Sequence, residues 1–351
     1  MLLEDLPTEI LTNVFTRSPT VPSALALAST CRRLHSIFKS SKKLVILQEA
    51  AERQYGPLHD AIQLVTHNAS QPAHMVRPVP ISETLLRSIV QAGKVAVQWE
   101  EIYPFKKWKT DFADRRLLDD EERVVFRRAL YRLWLFSRAY HNREHPRLLR
   151  ASPQAMMERA MLLHNFNTGE LAEMLDVHNM LRDTISNNVC PSNGTIRRKF
   201  EKRFPGSGHQ LLFNIHLNYP LTNGYSNFAS SDEYYIYGSP RVAESKYHSK
   251  FVPSRTHEPG AEGWGDDVLH YYVVEDMLKL DPAQILHLRN EAPLKDQVES
   301  YVRELGEWFD NNGETFCQTM AHVVVQRGGE MEEIREAVLD GMLGVAVGDA
   351  E

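Results

Sequence analysis

Residues 3–15 read LEDLPTEILTNVF, and after a short loop that contains Pro19 the chain continues as PSALALASTCRRLHSIFKSS at residues 22–41. Pro7 fits the first turn of a helix, because a proline there removes no intrahelical hydrogen bond. Apolar residues then recur three and four positions apart, which is the spacing of one helix face. The loop ends this helix, since a proline disfavours helical geometry in the residue before it. The second stretch predicts two more short helices.

Three helices of this length bury too little apolar surface to be stable by themselves. A domain of about forty residues usually depends on a metal ion, on disulfide bonds or on a partner surface. This stretch contains one cysteine, Cys31, and no cluster of metal-binding residues. We therefore expect its apolar faces to be covered by the rest of the chain or by another protein.

The order of these features resembles an F-box. The features are Leu6-Pro7, an acid two positions later, paired aliphatic residues, a loop with proline and then CRRL at residues 31–34. An F-box is a three-helix module that attaches a protein to the Skp-type linker subunit of a Skp–cullin–F-box ubiquitin ligase. The resemblance covers about residues 2–41, and the alternative is an ordinary helical start to a globular domain. Ser23 and His35 depart from common F-box residues, which leaves the strength of linker binding open.

The resemblance also implies which residues contact the partner. In this family, apolar side chains of the three helices face the linker subunit or the seam beside it. The matching positions in this chain are Leu6, Pro7, Ile10, Leu11, Phe15, Leu25, Leu27, Cys31 and Leu34.

The rest of the chain predicts a mostly α-helical fold. Helical periodicity dominates on both sides of a long irregular segment, residues 205–264, which is rich in Gly, Pro, Ser, Asn and Tyr and forms either ordered loop or short strands. We predict four parts: a three-helix F-box at 1–42, a connecting helix at 43–66, a linker or long loop at 67–80, and a larger helical domain at 81–345.

The clearest helix of the larger domain is predicted at residues 119–141, where four acidic residues at its start complement the helix dipole. The run RALYRLWLF at residues 128–136 resembles a helix often found downstream of the F-box in fungal-type members of the family. No Trp-Asp dipeptide and no leucine-rich period predicts a repeat domain. The glycine-rich end at residues 341–351 is expected to fray.

The irregular segment contains a cluster of aromatic residues. Aromatic side chains in irregular segments are over-represented at binding surfaces, and they equally often fix a long loop onto a helical core. As a hypothesis, we expect the following residues to help bind a target protein: Tyr225, Phe228, Tyr234, Tyr235, Tyr237 and Trp264.

The strongest motif for an enzyme is HNREH at residues 141–145, which matches the H-x-x-E-H pattern of zinc peptidases. Pro146 disfavours helical geometry at His145, and His and Arg are favoured at helix C termini in any case. We therefore expect a helix end rather than a metal site. No nucleophile, phosphate-binding or cofactor motif stands out, so the sequence predicts no catalytic residue, metal ion or cofactor.

Composition narrows the classes of function. The net charge of −6 argues against a general nucleic-acid binder, and no apolar run approaches the ~18 residues of a membrane span. Three cysteines far apart in the sequence fit a reducing compartment, the cytoplasm or the nucleus.

The expected function is that of a non-catalytic adaptor. Its F-box binds the linker subunit and, through it, cullin, while the larger domain binds an unknown target protein. The alternative is an F-box protein that acts outside the ligase, as a linker-bound structural or regulatory partner.

Overall fold

The computed structural model describes residues 6–110, 115–146, 149–150, 152–192, 270–293, 295–306 and 313–347. These residues form α-helices and no β-strand, which confirms the mostly α prediction for this part of the chain. The helices are α1 (Thr8–Thr16), α2 (Val21–Ala28), α3 (Arg32–Phe38), α4 (Lys43–Tyr55), α5 (Leu58–Thr66), α6 (Glu83–Lys107), α7 (Asp120–Tyr140), α8 (Pro153–His164), α9 (Thr168–Thr184), α10 (His270–Met277), α11 (Pro282–Glu291), α12 (Lys295–Glu304), α13 (Phe316–Gln326) and α14 (Met331–Leu339).

Several helices begin where the sequence supplies a capping residue. The Ser82 hydroxyl accepts a hydrogen bond from the Leu85 N–H (3.1 Å) at the start of α6, and Ser152 caps α8 in the same way. At the start of α11, Asp281 and Gln284 form a reciprocal capping box. These bonds satisfy backbone N–H groups that have no partner within the helix.

The chain folds into two compact units. The first unit comprises Met1–Leu135, Gly169–Val177 and Ala337–Glu351, and the second comprises Phe136–Thr168 and His178–Glu336.

The observed boundaries differ from the predicted parts. Residues 67–80, predicted to lie between the F-box and the larger domain, fall inside the first unit. Residues 43–66 form two helices, α4 and α5, instead of one connecting helix. The break falls at Gly56-Pro57, because a proline disfavours helical geometry in the residue before it.

Helix α4 packs closely against α6 in the first unit. Tyr55 of α4 lies against Gly93 of α6, where an added Cβ atom would come within 2.4 Å of the Tyr55 ring. Only a glycine permits an approach this close. The backbone carbonyl of Tyr55 also accepts a hydrogen bond from the Tyr131 hydroxyl of α7 (2.8 Å), so α4 is held by both helices.

Arginines of α7 join further helices of the same unit. The Arg132 guanidinium pairs with Asp60 of α5 (2.7 Å) and with Glu170 of α9 (2.7 Å). Arg128 pairs with Glu173 through two nitrogens, which is the bidentate geometry that a guanidinium favours. These contacts fix α7 against residues 169–177.

The C-terminal segment packs within the first unit. The carboxylate of Asp176 accepts hydrogen bonds from the Tyr103 hydroxyl (2.6 Å) and the Val345 N–H (3.1 Å), and it pairs with Lys107 (3.1 Å). Gly344, at a φ of 121°, brings the backbone against Asp176, where a Cβ atom would lie 2.5 Å from its Oδ2. Val345 is buried, so the expectation that the end frays is wrong for this part of it.

The second unit has a core around α8 and α13. The buried guanidinium of Arg159 on α8 donates to the Thr319 hydroxyl on α13 (3.0 Å) and to the carbonyl of Arg150 (2.6 Å). The rings of Phe136 and Phe316 meet edge to face with centroids 5.5 Å apart. Helix α11 packs against the π-helical turn that follows α9.

The aromatic-rich segment at residues 205–264 lies outside the described residues, as does the choice there between loop and strand. Across the parts of the chain that the structure does describe, no helix combines the length and the apolar character needed to cross a membrane.

Candidate functional site

The first three helices form a small core that a fourth helix completes. Apolar side chains of α1, α2 and α3 pack together, and Ile46 and Ala50 of α4 are buried among them. The expected cover for the three short helices therefore comes, at least on one side, from the chain itself. Phe15 and Phe38 lie at the centre of this core, with ring centroids 5.7 Å apart.

Polar contacts from α4 also fix the loop between α1 and α2. The Arg53 guanidinium donates to the backbone carbonyl of Thr16, the last residue of α1, and to that of Ser18 in the loop after it. The Gln54 side chain accepts a hydrogen bond from the Val21 N–H (3.0 Å) at the start of α2. These bonds satisfy backbone groups at helix ends and hold α1 and α2 in a fixed relation.

The nine residues predicted to face a linker subunit fall into three groups. Three are buried in the core just described: Leu11, Phe15 and Leu34. Three are partly buried: Leu6, Leu27 and Cys31. Three are exposed: Pro7, Ile10 and Leu25. The buried three support the surface from beneath, and the exposed three are directly accessible to a partner. Contact with a linker subunit stays a prediction for all nine.

Ile10 and Leu25 are large aliphatic residues, and each is 46% exposed. Val14, one helical turn after Ile10, is 36% exposed and was missing from the predicted set. Its position four residues after Ile10 is the sequence signal that would have added it. Val45 on α4 is half exposed as well and lies beyond the stretch on which the prediction rested.

Residues 3–46 match the family model of the F-box domain. The chain contains an F-box domain. The match ends at Ile46, so it includes the first α4 residue that is buried in the core of the module. No curated protein and no solved structure matches the chain. An F-box domain implies a Skp-type linker subunit as partner and, through it, the cullin of a ubiquitin ligase.

The H-x-x-E-H motif does not lie on one helix face. Helix α7 ends at Tyr140, before the motif begins. The Nε2 atom of His141 accepts a hydrogen bond from the Thr315 N–H (3.2 Å), and Nδ1 of His145 lies 2.9 Å from the Asn142 side-chain oxygen. Burial lowers the pKa of His141 to about 4, so this imidazole is neutral and serves as an acceptor.

A second cluster of chemically active groups was not predicted. His178 of α9, Glu314 just before α13 and Cys317 in its first turn meet in the second unit. The Cys317 sulfur lies 3.7 Å from Nδ1 of His178, and Nε2 of the same ring lies 3.6 Å from the Glu314 carboxylate. A separation of more than 130 positions between His178 and the other two leaves no spacing pattern in the sequence.

The residues predicted to bind a target protein lie outside the described residues. They are Tyr225, Phe228, Tyr234, Tyr235, Tyr237 and Trp264.

Proposed function

We propose that this chain is a substrate-recognition adaptor of a Skp–cullin–F-box ubiquitin ligase. The observation that carries the proposal is the two-layer arrangement of the F-box. Leu11 and Phe15 are buried in its core, while Ile10, Val14 and Leu25 keep large apolar surfaces exposed. Burying such a side chain in a partner contributes ~1.5–3 kcal/mol, so a few of them can supply most of a docking interaction.

The packing of α4 supports a role as a rigid connector. This helix contributes Ile46 and Ala50 to the F-box core, and its C-terminal residue Tyr55 packs on Gly93 of α6. The F-box is therefore continuous with the rest of the first unit instead of being attached by a flexible tether. A stiff connection holds the F-box in a defined position on the first unit, and tethering a bound target to the ligase raises its effective concentration near the ubiquitin-charged enzyme.

In this proposal the chain performs no chemistry on ubiquitin. The larger part of the protein captures a target protein, and the aromatic-rich segment at residues 205–264 contributes to that capture. The second candidate function is that of a structural or regulatory partner, which binds the linker subunit through the F-box but acts without cullin. The two functions differ in whether cullin is recovered together with the linker subunit.

The test replaces exposed residues and leaves the core of the F-box intact. We expect Ile10→Asp combined with Leu25→Asp to weaken binding to a purified Skp-type linker subunit at least about a hundredfold, because two apolar anchors are lost. Isothermal titration calorimetry on the full chain measures the affinity. The matched control is Val325→Asp, an equally apolar residue on α13 that is 66% exposed.

Unchanged affinity in the double variant, with an unchanged circular dichroism spectrum, would contradict the proposed docking surface. Pull-down from cells in which the proteasome is inhibited then separates the two candidate functions. Cullin that is recovered with the wild type and lost with the double variant supports the ligase adaptor. Linker subunit without cullin supports the second function, and mass spectrometry of the same samples identifies the target.

A further inference from the structure

Cys317, His178 and Glu314 form a connected row of side chains in the second unit. Each nitrogen of the His178 ring faces a different neighbour: Nδ1 faces the Cys317 sulfur at 3.7 Å, and Nε2 faces Glu314 at 3.6 Å. His178 and Glu314 are buried, whereas Cys317 is partly exposed. A base placed beside a nucleophile and oriented by a third group is the arrangement that activates thiols in proteins.

The carboxylate end of this row is fixed. Glu314 accepts a hydrogen bond from the backbone N–H of Phe316, two residues further on. Burial alone would raise the pKa of Glu314. The lowering effects of His178, His141 and the Phe316 N–H together outweigh burial, so the pKa is lowered and the carboxylate is ionised. A buried carboxylate needs a compensating positive charge. His178 is the group that lies at ion-pair distance.

His178 is accordingly protonated at neutral pH. Burial lowers its pKa, but Cys317 and Glu314 together raise it to about 10. An imidazolium carries an N–H on both nitrogens; here Nδ1 lies at hydrogen-bonding distance from the sulfur and Nε2 at ion-pair distance from the carboxylate. A positive charge next to a thiol favours the thiolate, which is the reactive form of cysteine.

Other titratable groups near this cluster lie directly after α7, on α8 and in the segment after α10. His141 is neutral because its pKa is lowered to about 4 by burial. Arg159 faces Glu314 and His141, and the buried Lys279 faces His141. Both are cations, and Arg159 also interacts with the Glu314 carboxylate.

The same three residues offer sulfur, nitrogen and oxygen atoms within 4.8 Å of one another, which is a donor set suited to zinc. Two observations favour the thiolate instead. A metal ion would use one nitrogen of His178, but the sulfur and the carboxylate face opposite nitrogens. The Arg159 guanidinium, which interacts with Glu314, also opposes the binding of a divalent cation nearby.

We propose that Cys317 is a modification site, a thiolate that small hydroperoxides oxidise to a sulfenic acid. The sulfur attacks the terminal oxygen of the peroxide, an S–O bond forms and the O–O bond breaks. The sulfur loses two electrons and the peroxide gains them. The departing oxygen takes a proton from Nδ1 of His178, which gives water or an alcohol, a neutral imidazole and Cys317 as its sulfenic acid.

The chain contains its own comparison thiol. Cys31 is also partly exposed, and its sulfur accepts a hydrogen bond from the Leu34 N–H, a neutral backbone group. Alkylation by iodoacetamide, followed by mass spectrometry of the two peptides, compares both thiols in one sample of full-length protein. Between pH 6 and pH 8 an ordinary thiol gains roughly 75-fold in rate, because its thiolate fraction rises. We expect a smaller gain at Cys317 than at Cys31, because the imidazole of His178 lies beside the Cys317 sulfur.

Oxidation is measured by trapping with dimedone after brief exposure to hydrogen peroxide at pH 6. We expect the label at Cys317 to exceed the label at Cys31 at least about tenfold, since only the thiolate reacts. His178→Gln should give Cys317 the pH profile of Cys31 and remove the difference in dimedone label. The control variant His164→Gln removes an exposed imidazole of the same unit and should change neither result.

A wild-type Cys317 whose alkylation rate rises with pH as steeply as that of Cys31 would overturn the proposal. So would about one equivalent of zinc per chain after dialysis, combined with faster alkylation of Cys317 once a chelator is added. Where His178→Gln alters the circular dichroism spectrum, Glu314→Gln provides the second variant. In that variant Cys317 should become no more reactive than Cys31. If Cys317 instead keeps its full reactivity, the role assigned to the ion pair of His178 and Glu314 is contradicted.

Discussion

Phe15 and Ile10 belong to the same apolar periodicity of α1, but Phe15 is fully buried and Ile10 is 46% exposed. This difference predicts that replacing Phe15 lowers the stability of the protein, whereas replacing Ile10 weakens binding to the linker subunit. Phe15→Ala should lower the free energy of unfolding by about 3–5 kcal/mol, because it leaves a cavity in the F-box core. Ile10→Ala should change it by less than about 1 kcal/mol. Urea unfolding, followed by circular dichroism, measures both.

Binding to the linker subunit provides the control for this pair. Ile10→Ala should weaken binding although the protein is as stable as the wild type. Equal losses of stability in the two variants would mean that α1 packs with a different face inward.

At the scale of single residues, the sequence predicted the apolar stripe of α1 but not which part of it is buried. The three-and-four spacing defines a face that is wider than the core contact. The part of this face that is buried packs in one core with Ile46 and Ala50, which belong to α4 and lie more than thirty positions away. The row of Cys317, His178 and Glu314 was unpredictable for the same reason, since the fold alone brings α9 and α13 together at these residues.

Among the helices, the contact of α4 with α6 depends on Gly93. Alanine is a better helix former than glycine by about 1 kcal/mol, so an exposed glycine replaced by alanine would stabilise α6. At Gly93 the new Cβ atom would lie 2.4 Å from the ring of Tyr55, which is itself buried. We therefore expect Gly93→Ala to destabilise the first unit by about 1–3 kcal/mol through overpacking. Thermal unfolding measured by circular dichroism gives the change.

The control on the same helix is Lys94→Ala, which alters an exposed position and should leave the melting temperature nearly unchanged. A higher melting temperature for Gly93→Ala than for the wild type would mean that α4 and α6 are further apart than the structure places them.

Helix starts are predictable from the sequence because capping is local and serine is a preferred capping residue, as Ser82 and Ser152 are for α6 and α8. The C-terminal segment was not predictable, since glycine-rich ends usually fray. Here Gly344 allows the backbone to reach Asp176, and the Val345 N–H donates to that carboxylate. Glycine at this end therefore permits a tertiary contact, and nothing in the local sequence distinguishes that case from a flexible end.

For the molecule as a whole, the two buried histidines of the second unit predict opposite responses to pH. The pKa of His141 is lowered to about 4 by burial, below its usual value of 6.5. As the pH falls from 6.5 towards 4, His141 is protonated in the unfolded chain but stays neutral in the folded chain. The folded state therefore loses stability over this range. The pKa of His178 is raised to about 10. Its contribution is complete below pH 6.5 and is lost as the pH rises towards 10.

Hydrogen–deuterium exchange of peptides from α13 measures the stability of this unit at each pH. We expect the free energy of opening to be largest near pH 6.5 and to fall on both sides. His141→Gln should reduce the loss between pH 6.5 and pH 4.5, because a glutamine oxygen can accept from the Thr315 N–H and does not titrate. His178→Gln should reduce the loss above pH 8 and leave the acid side unchanged. If the free energy of opening falls equally between pH 6.5 and pH 4.5 in the wild type and in His141→Gln, other groups cause the fall. The lowered pKa of His141 would then make no contribution to stability.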